Sequence, residues 1–126
     1  MRSWAVWLAG LVGVVILLLG VRAFLDPVGA SASFGLPMHT DAETSFVRIY
    51  GARNALLGAM AIVFAARGMI GSLVLLFTLA ILLPLLDAAV IVSRLGLGRE
   101  LARHGAILLV LAIVGVALRR TSESGR

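Results

Sequence analysis

The sequence contains no cysteine and no lysine, only three prolines and two histidines, and few aromatic residues. Without thiols there are no disulfides, no thiol redox chemistry, no thiolate metal sites and no iron–sulfur clusters. His39 and His104 sit in unlike surroundings and are too few to build a histidine-ligated metal or haem centre, so neither a metal nor an intrinsic cofactor is expected. All 11 basic residues are arginine; against six acidic residues they leave a net charge of +5. No basic or aromatic run outside the apolar segments offers a nucleic-acid surface, so nucleic acid is not an expected partner. The arginines bear instead on membrane orientation and anionic headgroups. The phosphate-binding Gly-Lys-Ser/Thr, the His-Glu-x-x-His zinc motif and a nucleophile triad are also missing, and Gly96-Leu97-Gly98 lacks the third glycine of a dinucleotide loop. No catalytic residue is assigned, and no internal repeat is visible.

What the chain does have is apolar surface: 61% of its 126 residues are hydrophobic and its mean hydropathy is +1.10. Such a chain takes lipid as its solvent. The pattern predicts an all-α fold, a single transmembrane domain over residues 1–126 with helices at about 4–24, 46–66, 69–92 and 101–118. The expected arrangement is an integral membrane four-helix bundle with antiparallel up-down topology. The run from Trp4 to Val21 is close to the roughly 20 residues a bilayer core requires. Ala5, Ala9 and Gly13 recur within it at four-residue spacing, which permits close approach of a neighbouring helix. A cleaved signal peptide is the rival reading, because Ala30-Ser31-Ala32 has cleavage-site character. The apolar run exceeds the roughly 7–15 residues of a signal-peptide core, so the first helix is expected to be retained.

Residues 25–45 read as a surface loop, in which Gly, Pro and Ser punctuation argues against a regular helix while Phe34, Leu36 and Met38 supply an apolar patch. Asp41 and Glu43 precede the second helix, where acidic groups suit the positive end of its dipole. Arg67-Gly68 is short enough to make helices two and three an insertion hairpin. Pro84 is expected to kink helix three just before Asp87, and His104 falls in the first turn of the fourth helix.

The second helix carries the central difficulty. An arginine near the centre of a membrane helix costs about 2.5–3.5 kcal/mol, and each Leu, Ile, Val or Phe returns only about 0.3–0.6. The apolar residues of 46–66 offset roughly one buried arginine. Arg48 is near enough to the helix start to snorkel, but Arg53 lies about 10 Å beyond Phe46 at 1.5 Å per residue and calls for a partner. Threading four antiparallel helices sets Arg53, Asp87 and His104 in one leaflet. Tyr50 and Asn54 flank Arg53 on its face, and Gly51, Ala55, Gly58 and Ala59 make the adjoining face small enough for tight helix packing. The sharper reading is a polar cluster of Tyr50, Arg53, Asn54, Asp87 and His104 around an Arg53–Asp87 ion pair, beneath the 25–45 segment. It would anchor the head of a lipophilic ligand or change protonation. The plainer reading is an ion pair that only lets the second helix exist in lipid.

Pro27 followed by SFGLP (Ser33 to Pro37), YGARNALLG (Tyr50 to Gly58), PLLDA (Pro84 to Ala88) and Arg103-His104-Gly105 occur in an order that resembles a domain-of-unknown-function family of small bacterial and fungal four-helix membrane proteins, broadly DoxX-like. That resemblance implies a four-helix bundle without an established activity. DoxX-like proteins include accessory subunits of quinone-linked oxidoreductases, which implies an accessory or quinone-associated role.

Three function classes follow. The first is a binding or accessory membrane subunit for a lipophilic small molecule, quinone-like among others, or for a membrane protein partner or homo-oligomer. The second is a membrane-embedded enzyme using Asp87 and His104 for proton transfer; the third is a small oligomeric transporter. The expected location is the bacterial inner (plasma) membrane, multi-pass, with the lipid bilayer as the first partner. Arg2, Arg67, Arg119, Arg120 and Arg126 lie at the termini and short link, against Arg22, Arg94 and Arg99 opposite with Arg48 and Arg103 near that interface, and this asymmetry favours cytoplasmic termini.

Overall fold

The computed structural model describes residues 3–96 and 98–125, and its regular structure is helical throughout the described residues. In chain order the helices are α1 (Trp4–Leu25), α2 (Pro27–Phe34), α3 (Asp41–Ala66), α4 (Ile70–Ala80), α5 (Leu82–Leu95) and α6 (Arg99–Ser124). Four stretches are long and apolar enough to cross a membrane: Trp4–Leu25, Asp41–Ala66, Ile70–Arg94 and Leu101–Ser124. Their large side chains are widely uncovered. Leu18, Leu86 and Leu109 are each 62% exposed, a surface that water would not tolerate in such abundance and hydrocarbon would.

The chain forms two compact units, one of Gly10–Val63 and one of Met1–Ala9 with Phe64–Arg126. The first is organised by glycines. A methyl group added at Gly58 would lie 2.5 Å from the Leu17 backbone nitrogen and 2.6 Å from the Gly13 carbonyl oxygen, and one added at Gly51 would lie 2.6 Å from the Gly20 carbonyl oxygen. The relation is reciprocal: a methyl group at Gly13 would meet the Gly58 carbonyl at 2.9 Å, and one at Gly20 the Gly51 carbonyl at 2.6 Å. Both glycine pairs are seven residues apart along their helices, two turns, and therefore share a face. Backbone meets backbone, with the contacts running in opposite order along α1 and α3. The small face expected of Gly51, Ala55 and Gly58 is the face that makes this contact.

The 25–45 segment departs from the expected loop, because it contains α2. Asp26 accepts a hydrogen bond from the Gly29 amide at 3.1 Å, Pro27 occupies the first turn, where no amide is needed, and Gly35 ends the helix at φ 97°. The Gly35 and Leu36 amides donate to the Ala32 and Ser31 carbonyls, each at 3.2 Å, which closes the last turn in a Schellman arrangement. Punctuation that argues against a long helix is here the start and stop of a short one. The buried Ser31 hydroxyl donates to the Val28 carbonyl and accepts from the Met38 amide, folding the following strand of chain back over α2.

The third helix also begins earlier than expected, at Asp41 rather than Phe46. Thr40 Oγ1 accepts from the Glu43 amide at 3.3 Å and the Glu43 carboxylate accepts from the Thr40 amide at 3.0 Å, a reciprocal capping box. At the other end Gly68, at φ 67°, turns the chain, with the Gly68 amide on the Ala65 carbonyl and the Met69 amide on that of Phe64. The short Arg67-Gly68 link is thus a glycine-stopped turn directly into α4.

In the second unit α6 packs against both α4 and α5. Leu73, Phe77, Ile91, Leu111, Val114 and Leu118 form its core, together with Ala5, Val6 and Ala9 from the start of α1. The expected kink appears as an interruption at Ile81 between α4 and α5. Pro84 has no amide to offer the carbonyl a turn earlier, and its ring crowds that carbonyl. The last helix starts at Arg99 and continues to Ser124, beyond the predicted end at 118.

Replacing Gly58 or Gly20 by leucine must separate the α1 and α3 backbones, at a cost of about 1–3 kcal/mol or more by the usual scale of overpacking. Thermal unfolding in detergent should show this as a clear fall in Tm. Gly71→Leu should leave Tm within error, because nothing lies within 4 Å of the added atom. Gly35→Ala should cost about 1–2 kcal/mol through its left-handed backbone alone, read in the same assay.

Candidate functional site

Asp87 and His104 both lie on helix faces that turn into the second unit. On α5, Pro84, Asp87 and Ile91 recur at three- and four-residue spacing and share a face, and Ile91 is 1% exposed, so that face is the packed one. On α6, His104, Leu111 and Leu118 recur every seven residues, with Leu111 and Leu118 in the core. His104 lies on that stripe and is itself buried, at 3% exposure. The start of α6 at Arg99 places it in the second turn rather than the first. Asp87 is half-buried and interacts electrostatically with the His104 imidazole. A carboxylate electrostatically coupled to an imidazole in apolar surroundings can hold a polar group of a ligand or pass a proton.

Tyr50, Arg53 and Asn54 lie on α3 in the Gly10–Val63 unit. Tyr50 meets the Phe34 ring of α2 edge to face, with centroids 6.0 Å apart and planes at 67°. The Arg22 guanidinium donates to the Ser33 hydroxyl at 3.2 Å, joining α2 to the end of α1. Arg53 is exposed and Asn54 half-buried. An ion pair from Arg53 to Asp87 would join residues of different units.

Two features escaped the sequence reading. The Arg119 guanidinium donates to Thr78 Oγ1 at 3.2 Å, while that hydroxyl donates to the Val74 carbonyl at 2.7 Å. The signal for it is slight: one of two hydroxyls, with Ser72, in an otherwise apolar helix. The other is an open groove of about 760 Å³ in the second unit, lined by Ser3, Trp4, Ile113, Val116, Arg120 and Thr121 among others, and by none of the five residues of the expected cluster. Among the described residues, no three His, Asp or Glu side chains gather as a metal site.

No curated protein and no solved structure matches the chain. A family model does, that of the domain of unknown function DUF4267, over residues 13–118. The matched stretch begins at the first glycine of the α1–α3 contact, takes in Tyr50, Arg53, Asn54, Asp87 and His104, and ends at Leu118 in the α6 core. The chain belongs to the DUF4267 family, a domain of unknown function within four helices long and apolar enough to span a membrane.

Proposed function

We propose that this DUF4267 protein is a binding or accessory subunit of a membrane, in which Asp87 and His104 hold the polar head of a lipophilic, quinone-like molecule or a polar surface of a partner protein. The observation that carries this is the burial of His104 on the core stripe of α6, where it interacts electrostatically with the half-buried Asp87. Ionisable groups inside a membrane span are expensive to keep and are mostly found where they act. Tyr50, Arg53 and Asn54 of the first unit are proposed as further polar groups for binding, on their sequence pattern alone. The likeness to DoxX-like accessory subunits supports the same reading by analogy. The proposed setting is the bacterial plasma membrane with cytoplasmic termini. The Asp87–His104 interaction also favours a second reading, proton transfer within a membrane enzyme, since it couples a carboxylate to an imidazole.

Small molecules extracted from detergent-purified protein and identified by mass spectrometry test the binding role. Asp87→Asn and His104→Gln should fold normally and lose the bound lipophilic molecule by about ten-fold, the equivalent of one good polar contact. A double-mutant cycle on Arg53→Leu and Asp87→Leu decides against it if each single change unfolds the protein, by the roughly 3–5 kcal/mol of a broken buried pair, and the double variant restores it. The charges would then serve the fold alone.

A further inference from the structure

We propose that the groove between the start of α1 and the end of α6 is a binding site for an anionic phospholipid. It lies within one compact unit and is formed by Ser3 and Trp4 on one side and by α6 from Ala112 to Ser124 on the other. It is remote from the Asp87–His104 site: Arg120 follows His104 by 16 residues on a continuous helix, about 24 Å at 1.5 Å per residue.

The lining is divided by polarity along its length. Ile113 and Val116, about half exposed, form an apolar floor with Ala112. Arg120, Thr121, Ser124 and Ser3 stand at the end nearest the helix termini. From Ala112 to Ser124 the groove follows α6 for about 18 Å, slightly more than half of a hydrocarbon core of about 30 Å. Trp4, 66% exposed at its edge, is the residue type that settles at headgroup depth. A ligand matching this must carry an apolar chain on one end and a head at the interface on the other.

Charge fixes the sign of that head. Arg119 and Arg120 are adjacent but unlike: the Arg119 guanidinium is engaged by Thr78, whereas the Arg120 guanidinium has no hydrogen-bond or ion-pair partner among the described residues and lines the groove. Among the described residues no acidic one lines it. The Thr121 and Ser124 hydroxyls donate to their own helix, at the Ala117 and Arg120 carbonyls, so the guanidinium is the group left to recognise a ligand. An arginine fork at the interface fits a phosphate diester, and a cationic rim over an apolar floor fits an anionic phospholipid better than a zwitterionic one.

Native mass spectrometry of the full chain, released from micelles containing equal phosphatidylglycerol and phosphatidylcholine, tests this. Wild-type protein should retain phosphatidylglycerol preferentially. Arg120→Gln should lower that retention about ten-fold, Arg120→Lys should restore part of it, and Val116→Trp should abolish it by filling the floor without altering charge. Arg67→Gln, an equal loss of charge at an exposed turn, should leave it unchanged. Equal retention of the two lipids by wild type, or equal losses in Arg120→Gln and Arg67→Gln, would overturn the proposal. So would a dimer that dissociates in Val116→Trp while phosphatidylglycerol is not retained, since the groove would then belong to a second copy of the chain. Should Arg120→Gln not fold, Val116→Trp decides by itself: undiminished retention in that variant overturns the proposal.

Discussion

Hydrocarbon gives helices no hydrophobic reason to associate, since a lipid tail is as apolar as a leucine, and attraction must come from close packing. In this protein α1 and α3 meet that condition at Gly13, Gly20, Gly51 and Gly58, where each helix presents bare backbone to the carbonyls of the other. The contact brings in its immediate surroundings. Ala23 and Ala61 close against it, and the short helix α2 is fixed at both edges, to α1 through Arg22 and Ser33 and to α3 through Phe34 and Tyr50. Tyr50 owes its position to a glycine one residue further along the chain.

Polar groups are handled by the complementary rule that lipid supplies no hydrogen bonds. Hydroxyls in or near the spans return to their own helix: Thr78 to Val74, Ser93 to Val90, Thr121 to Ala117. Helix ends are closed from within the chain, by Asp26, by the Thr40–Glu43 box and by Gly35 and Gly68. Against this background of local satisfaction two long-range polar interactions stand out among the described residues of the second unit, the Arg119–Thr78 hydrogen bond and the electrostatic interaction of Asp87 with His104. The first lies near the end of α6 and ties it to α4. The second lies near the start of α6 and brings a titratable pair into the packed region, which is why it carries the functional reading.

Much of the fold was legible because membrane spans announce themselves by length and hydropathy, and because small residues at helical spacing mark a close contact. Gly51, Ala55 and Gly58 could be read as a packing face without knowing their partner. The 25–45 segment was misread for a definite reason. Asp26, Pro27 and Gly35 are helix punctuation eight or nine residues apart, and Gly and Ser between them lower intrinsic propensity without forbidding a capped helix of two turns. Thr40 and Glu43 likewise state a helix start that apolar periodicity alone places five residues late. Of the site, the inward stripe of α6 fixes His104 by its spacing to Leu111 and Leu118. The break at Ile81, which sets where the helix of Asp87 begins, has a position that lies beyond what periodicity specifies, though its cause in Pro84 does not.

The glycine contact has a consequence for how sequences of this family can diverge. Where a side chain obstructs another, a smaller partner can compensate, and paired changes accumulate. At Gly20 and Gly58 the obstacle is the main chain of the facing helix, and no substitution opposite removes a carbonyl or an amide. These positions are therefore held singly and have no partner to vary with. At its tightest point of approach the helix pairing that shapes the first unit therefore offers covariation no side-chain partner to detect.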